Sequence, residues 1–141
     1  MSGNFGDRLM YIDGQFLPGS DDQWIDSVNP GTEEVHGRVP VGTVQDVNRA
    51  VDAAEAAQPG WAALSVWERR DVLRKLGAAM RARTAEILPL EAADTGNTIG
   101  SLGRDVEVAA NYLDYFSGLG TEIKGDSVPA SKDGMHFSIR E

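Results

Sequence analysis

The first forty residues alternate apolar and polar side chains with the period of two that is typical of β-strands. Segments 9–12 and 15–17 flank Asp13 and Gly14, a pair that tolerates the positive φ angles of a type I′ turn. A short β-hairpin is therefore expected at the start of the chain.

A second pair of strands is predicted at 24–28 and 34–41. Between them, Pro30 biases the preceding residue away from the helical region, and Gly31 permits a reversal of the chain. Everything before residue 42 is thus expected to be strand or turn.

From Thr43 onward the apolar period lengthens to that of α-helices. Thr43 is a candidate N-cap, and this first helix is expected to end before Pro59. The apolar face of the helix is predicted to comprise Val44, Val47, Val51 and Ala54. A second helix opens with the capping-box pair Ser65 and Glu68. Its apolar stripe is predicted to comprise Val72, Leu73, Leu76, Ala79 and Met80.

A shorter helix is predicted over 84–93, with a kink or break near Pro89 because an interior proline removes a backbone hydrogen bond. A long helix follows over about 99–119, and its inward residues are predicted to be Val106, Ala109, Ala110, Leu113 and Phe116. Segments 127–130 and 135–140 form a second hairpin candidate. The predicted class is α+β: strands, then about four helices, then a terminal hairpin.

Charge and composition exclude several classes of partner. The net charge of −9 would repel a phosphate backbone, so nucleic acid is not expected as a partner. No apolar run reaches the ~20 residues that span a bilayer, and the start lacks the regions of a signal peptide. No membrane association and a cytoplasmic location are expected. The chain has no cysteine, so it can form no disulfide, bind no metal through a thiolate and supply no cysteine nucleophile.

The last predicted strand has no partner on its outer edges. Phe137 and Ile139 share one side of it, and the alternation stops at Glu141 without a turn or a cap. Such an end is expected of a piece of a larger protein. Free strand edges favour pairing with another chain or with further sequence of the same chain.

Three other features receive no functional role. His36 and His136 have no carboxylate or histidine at ligand spacing, so each is expected at the surface or on a strand face. Gly118, Leu119 and Gly120 lack the third glycine of a dinucleotide-binding fingerprint and are predicted to be a helix end.

Seven segments, taken in order, resemble the aldehyde dehydrogenase superfamily. They are VNPGTEEV at 28–35, the helix with Ala50, Ala54, Ala57 and Trp61, the basic helix with Ser65, Glu68, Arg69, Leu73 and Leu76, EAADTGN at 91–97, YLDYFSGL at 112–119, GDSVP at 125–129 and FSIRE at 137–141. Asn97 stands where the family commonly has lysine, which resembles a subfamily trait.

The resemblance covers about 9–141 and implies the helical outer layer of the family's cofactor-binding domain, without its parallel sheet. It implies a flexible N-terminus at 1–8, the N-terminal part of that domain at 9–125 and a truncated oligomerisation arm at 126–141. The implied partners are further copies of the chain, bound through the 127–141 hairpin, or the missing C-terminal part.

The reaction of the family oxidises an aldehyde to a carboxylic acid. It uses a cysteine nucleophile, an oxyanion-stabilising asparagine, a general-base glutamate and NAD(P). The resemblance places these residues beyond this chain and implies no catalytic and no cofactor-binding residue here, with NAD(P) bound only in full-length members. We therefore expect the chain itself to be inactive. A self-standing oligomerisation or interaction module is the alternative, and a small ligand-binding domain is supported least.

A structural cation site is also implied by the resemblance. In many family members the backbone carbonyls at the positions of Ser27 and Val28 and the carboxylate at the position of Asp94 hold a cation, and oxygen donors suit hard cations. The competing interpretation is that Asp94 binds local backbone amides in its Asp-Thr-Gly turn.

Overall fold

The computed structural model describes residues 5–128, 134 and 136–139. In chain order the elements are β1 (Met10–Ile12), β2 (Gln15–Leu17), β3 (Trp24–Val28), β4 (Val35–Pro40), α1 (Val44–Ala63), α2 (Val66–Ala82), α3 (Thr84–Thr95), α4 (Ile99–Gly118), a 3₁₀ turn (Leu119–Glu122), β5 (Ser127–Val128) and β6 (His136–Phe137). The α+β class and the order of strands, helices and hairpin are confirmed. Residues 132 and 133, which lie between the two strands of the predicted terminal hairpin, and the last two residues lie outside the described residues, as do residues 1–4 of the segment 1–8 that was predicted to be flexible.

The described strands form three separate antiparallel pairs, β1 with β2, β3 with β4 and β5 with β6. In the first pair Tyr11 lies opposite Phe16, and Asp13 and Gly14 have φ angles of 52° and 73°. Both turn residues are thus in the left-handed region that a type I′ turn requires. The hairpin predicted from this dipeptide is confirmed.

The second pair contains a β-bulge. The pairing steps from Ser27 opposite Gly37 to Val28 opposite Val35, so His36 is the extra residue on β4. A bulge leaves the extra residue outside the regular ladder and re-aims its side chain. The carbonyl of His36 accepts instead from the backbone amide of Phe5, at 2.8 Å.

Helix α1 corrects one sequence prediction. It continues to Ala63, past Pro59, before which it was expected to end, and the fixed φ angle of proline lies in the helical region. Three of the residues predicted to share one face are exposed, with Val44 at 78%. The valine stripe (Val44, Val47 and Val51) is thus not covered by the described residues. Ala54, predicted on the same face, lines a shallow cleft beside Tyr11 and Ile12, together with Ala50, Ala53 and Ala57.

The start of α1 is anchored to the loop before β3. One carboxylate oxygen of Asp46 accepts from the backbone amides of Thr43 and Ser20 and from both of their hydroxyls, at 2.8–3.2 Å. The Thr43 hydroxyl in turn accepts from the Asp46 amide, which completes a capping box. The Thr43 amide, followed by the hydroxyls and the Ser20 amide, lowers the pKa of Asp46 to about 2 against the opposing effect of burial.

Helices α2 and α4 form the main helical contact of the chain. Gly77 allows a close approach, since a Cβ at this position would lie 3.3 Å from the Ala110 carbonyl oxygen. Arg81 spans the pair: one Nη contacts Asn111 at 2.8 Å and Asp114 at 2.9 Å, and Nε contacts Glu107 at 3.2 Å. These acceptors recur on one face of α4, so a single guanidinium fixes the spacing of the two helices.

Of the kink or break expected near Pro89, the break is wrong, because α3 is continuous through this residue. The helix ends at Gly96, whose φ angle of 73° is the left-handed conformation common after a helix. A Cβ on Gly96 would lie only 2.7 Å from Cγ of Pro30. The β3–β4 turn therefore rests directly on the end of α3.

The enclosed core is small. The buried apolar side chains among the described residues are Ile12, Ala93, Leu102, Val106 and Ala110. Phe116, predicted to face inward, is 60% exposed. The chain exposes 10552 Å², whereas a compact monomer of 15.2 kDa would expose about 7,100 Å². In the described part of the chain, no helix has the length and apolar character needed to cross a bilayer.

Gly96→Ala is expected to lower the free energy of unfolding by about 1–2 kcal/mol, because alanine is strained at positive φ and its Cβ meets the Pro30 ring. Urea denaturation followed by circular dichroism measures the effect. Gly103→Ala is the matched control: it lies in α4 with open space around its Cα, and alanine there should stabilise by up to about 1 kcal/mol. Equal effects of the two substitutions would contradict the proposed close contact.

Asp46→Asn is expected to lower the free energy of unfolding at pH 7, and to lower it less in acid. Because the folded-state pKa of Asp46 is depressed to about 2 from an ordinary 3.8, its stabilisation is complete above pH 3.8 and is lost as pH falls through 2. Denaturation of both proteins between pH 2 and pH 7 should show their stability curves converging at the acid end. Asp52→Asn, an exposed position on the same helix, serves as the control. A difference that is independent of pH would contradict this assignment.

Candidate functional site

A cleft lies between the β3–β4 ribbon and α3. Its volume is about 210 Å³, and its lining includes Phe5, Ser27, His36, Leu90 and Asp94. The bulge in β4 and the end of α3 together bring these side chains to one place. Two of the three residues predicted for a cation site, Ser27 and Asp94, line this cleft together with His36.

Ser27 is the centre of the polar group. Its hydroxyl lies 2.7 Å from one carboxylate oxygen of Asp94 and 2.9 Å from Nε2 of His36. A carboxylate can only accept, so Ser27 donates its one hydrogen to Asp94 and accepts from an Nε2–H of His36. A neutral His36 therefore carries its proton on Nε2.

The other ring nitrogen of His36, Nδ1, differs from Nε2 in its hydrogen bonding. The residue is 7% exposed, and its Nδ1 has no hydrogen-bond partner within the described residues. The ring of Phe5 meets the imidazole edge-on, with centroids 5.9 Å apart at 87°. The Asp94 carboxylate lies 3.7 Å from Nε2, on the opposite side of the ring from Nδ1.

This group does not form a hydrolytic triad. In a serine hydrolase the serine donates to the histidine, and a carboxylate orients the histidine through its other nitrogen. Here Ser27 donates to the carboxylate, and Asp94 faces the same nitrogen that contacts the serine. The geometry therefore supplies neither an activated serine nor an oriented base.

The predicted cation ligands are only partly brought together. Ser27 and Asp94 are in direct contact, and the Asp94 side chain is 58% exposed, so its oxygens are accessible to an ion. Val28 is the next residue of β3, beyond the step in the pairing. The expected ligands are the backbone carbonyls of Ser27 and Val28 and the Asp94 carboxylate, whose oxygens suit hard cations, whereas the contact of Asp94 is with the Ser27 hydroxyl. Among the described residues, however, no group of three His, Asp or Glu side chains could hold a metal ion.

Sequence reasoning missed His36, which was expected only at the surface or on a strand face. It does lie on a strand, but it is buried and hydrogen-bonded. Pairing β3 with β4 across the Asn29–Thr32 turn would have placed it near Ser27. The bulge that directs its side chain has no comparable signal in the sequence.

Comparison with known proteins gives the family. A family model described as "Aldehyde dehydrogenase family" matches residues 16–141, nearly the whole chain. The chain belongs to the aldehyde dehydrogenase family. The resemblance seen in the sequence motifs is thereby confirmed, and the described helices and strand pairs agree with a fragment of that fold.

Three relatives illustrate the match. Lactaldehyde dehydrogenase from Escherichia coli (strain K12) is 44% identical over 132 residues, and its crystal structure superposes with a TM-score of 0.85 at 40% identity; both comparisons cover 92% of this chain and 27% of the relative. Aldehyde dehydrogenase tropH from Talaromyces stipitatus is 33% identical over 94% of this chain and 26% of its own length. PnpE, solved with nicotinamide adenine dinucleotide, is 32% identical with a TM-score of 0.84, covering 97% of this chain and 27% of that structure. The chain thus spans about 27% of the relatives that it matches.

Ser27→Ala is expected to destabilise the fold by about 1–3 kcal/mol, because it leaves the buried Nε2–H of His36 without an acceptor. Asp94→Ala should cost less, about 1 kcal/mol or below, since the carboxylate is half exposed and Ser27 keeps its contact with His36. Urea denaturation of the two variants beside the parent chain measures this order. The reverse order would show that the contact with Asp94, and not the contact with His36, stabilises the cleft.

Proposed function

We propose that this chain is the N-terminal segment of an NAD(P)-dependent aldehyde dehydrogenase, with a structural role and no catalytic activity of its own. The observation that carries the proposal is the combination of a family match over 16–141 with the absence of any cysteine from the sequence. Oxidation of an aldehyde in this family starts with attack by a cysteine thiolate. A chain that has no thiol cannot form the thiohemiacetal.

The reaction proposed for the intact enzyme is oxidation of an aldehyde to a carboxylic acid. Thiolate attack gives a thiohemiacetal, loss of hydride gives a thioester, and water releases the acid and regenerates the thiol. The nicotinamide cofactor, held by the remainder of the enzyme, is what accepts the hydride. A relative solved with nicotinamide adenine dinucleotide supports this cofactor class.

The residues of this chain would contribute scaffolding. The Ser27, His36 and Asp94 group ties the β3–β4 ribbon to α3, and Arg81 ties α2 to α4. We further propose that the 126–141 segment is an arm through which subunits associate. β5 and β6 form a two-stranded ribbon on which Phe137 is exposed, and a ribbon of this kind has free edges for strand addition. We also propose a cytoplasmic location, as expected from the sequence.

The exposed ribbon supports a second candidate, a self-standing interaction module that dimerises through 127–141. Size-exclusion chromatography with light scattering separates the two candidates. The chain is measured alone and mixed with the missing C-terminal part of a relative. Activity regained on mixing would favour the enzyme segment, whereas a stable dimer that is lost on Phe137→Lys and gains no activity on mixing would favour the module.

Joining the chain to the rest of the E. coli lactaldehyde dehydrogenase is expected to give an enzyme that reduces NAD in the presence of aldehyde, whereas the chain alone gives no signal. NADH absorbance at 340 nm measures both. A chimera that carries Ala in place of the downstream catalytic cysteine is the control. Aldehyde-dependent NAD reduction by the chain alone would refute the inactivity proposed here.

The cation site that we propose at Ser27, Val28 and Asp94 predicts ion-dependent stability. The melting temperature should rise in sodium, potassium or magnesium chloride above its value in choline chloride at equal ionic strength. Asp94→Ala should abolish that rise, because it removes the charged ligand. Identical melting curves in all four salts would exclude the site in this chain.

A further inference from the structure

Residues 5–8, which we call the N-terminal strap, lie along β4. The Phe5 amide donates to the carbonyl of His36, and the Arg8 amide donates to the carbonyl of Arg38, each at 2.8 Å. Phe5 and Arg8 also line the cleft between the β3–β4 ribbon and α3. The strap therefore forms a wall of that cleft and lies over the histidine inside it.

A glycine in β4 lets the strap lie this close. Gly37 is placed between the two accepting carbonyls, and a Cβ at this position would lie only 2.5 Å from the carbonyl oxygen of Gly6. A side chain cannot be accommodated at that distance from a backbone oxygen, so any other residue at 37 would push the strap away from β4. The contact between the two segments thus depends on one glycine.

An ion pair latches the strap to the ribbon. Nε and one Nη of Arg38 donate to the two carboxylate oxygens of Asp7, at 3.0 and 2.6 Å. These hydrogen bonds lower the pKa of Asp7, so the carboxylate is ionised at neutral pH. Both side chains are nearly half exposed, and an exposed pair is weak and screened by salt. Arg38 also lies over the Trp24 ring, 5.2 Å from its centroid, and can keep that contact when the latch opens.

The strap covers His36 at a cost. The Phe5 ring lies against the imidazole, whose centroid is 5.9 Å away, and the side chain of His36 is 8% exposed. Within the described residues Nδ1 has no hydrogen-bond partner, so its lone pair has lost water and gained nothing in return. The contacts of the strap thus favour the closed cleft, whereas the nitrogen that it covers favours the open one.

We propose that the N-terminal strap opens and closes over the cleft while the rest of the chain stays folded. Opening gives Nδ1 of His36 access to a hydrogen-bond donor from solution, so the strap controls what reaches the Ser27, His36 and Asp94 group. Local opening of this kind requires a segment of low local stability, which a salt-sensitive latch and an unpaired buried nitrogen provide. The inference concerns residues within this chain and does not depend on its proposed function.

Carbethoxylation by diethyl pyrocarbonate measures the opening, because the reagent attacks the unprotonated ring nitrogen of histidine. The sequence has two histidines, and trypsin separates them into the peptides 9–38 and 133–140. His136 is exposed, so its rate is an internal reference. In the purified chain at neutral pH, His36 should react at least tenfold more slowly than His136. Equal rates would overturn the proposal, because they would show that the strap does not cover the cleft.

Three substitutions remove the cover, the latch and the close approach in turn. Phe5→Ala, Asp7→Asn and Gly37→Ala should each raise the rate of His36 at least threefold relative to His136. None of them adds a residue to, or removes one from, the peptide that carries His36. Unchanged rates in all three variants would overturn the proposal.

Two matched controls separate the strap from general effects of the substitutions. Phe16→Ala removes an exposed aromatic ring from β2, and Asp52→Asn removes an exposed charge from α1. Both should leave the relative rate of His36 unchanged. A rise equal to that of the strap variants would contradict a role specific to residues 5–8.

Salt provides a test of the latch itself. Raising tetramethylammonium chloride from about 20 mM to about 1 M should increase the relative rate of His36 at least twofold, because the Debye length falls to about 3 Å. The same change should have no effect in Asp7→Asn, which has no ion pair to screen. An equal response of the two proteins would show that the ion pair does not hold the strap closed.

Local opening must also be separated from global unfolding. Asp46→Asn weakens the fold at the start of α1, away from the cleft, so it should leave the relative rate of His36 unchanged. In hydrogen exchange followed by NMR, the Phe5 amide should exchange at least tenfold faster than the Val41 amide, which donates to the carbonyl of Gln23 within the ribbon. A faster reaction of His36 in Asp46→Asn, or equal exchange of the two amides, would assign the exposure of His36 to unfolding of the whole chain and overturn the proposal.

Discussion

Four helices and three two-stranded ribbons offer too little surface to cover their own apolar side chains. The helices α2 and α4 enclose Leu102, Val106 and Ala110 between themselves and their neighbours, yet they leave aromatic side chains in the open. The hydrophobic effect favours covering such surface wherever another apolar face is available. The local structure is therefore determined within the chain, while the environment of its largest apolar faces depends on what binds them. The chain spans about 27% of the lactaldehyde dehydrogenase that it matches.

Local signals predicted most of the elements. The Asp13-Gly14 turn and the caps at Thr43 and Ser65 depend on neighbours only a few residues away, so the sequence contains all the information that fixes them. The proline positions were misjudged because a helix that is already formed tolerates the loss of one hydrogen bond. Periodicity says which residues of α1 lie on one side of the helix, but it cannot say whether anything lies against them, and the valines of that side are exposed.

The cleft between β3, β4 and α3 was only partly predictable. Ser27 and Asp94 are separated by 67 positions, and it was the family resemblance, not their spacing, that related them. His36 joins them through a bulge, a property of the pairing and not of any short motif. The result is a hydroxyl that accepts from an imidazole and donates to a carboxylate, an arrangement that links two parts of the fold without the order of contacts needed for nucleophilic catalysis.

The extra residue in β4 makes the length of that strand as important as its composition. Deleting His36, the one position between Val35 and Gly37, would restore a regular ladder and would remove the imidazole that contacts the hydroxyl of Ser27. Homologous chains should therefore tolerate exchanges of side chain in this strand more readily than insertions or deletions. A sequence alignment that is shifted by one residue in this strand would still match the backbone well, but it would misplace the histidine that contacts Ser27.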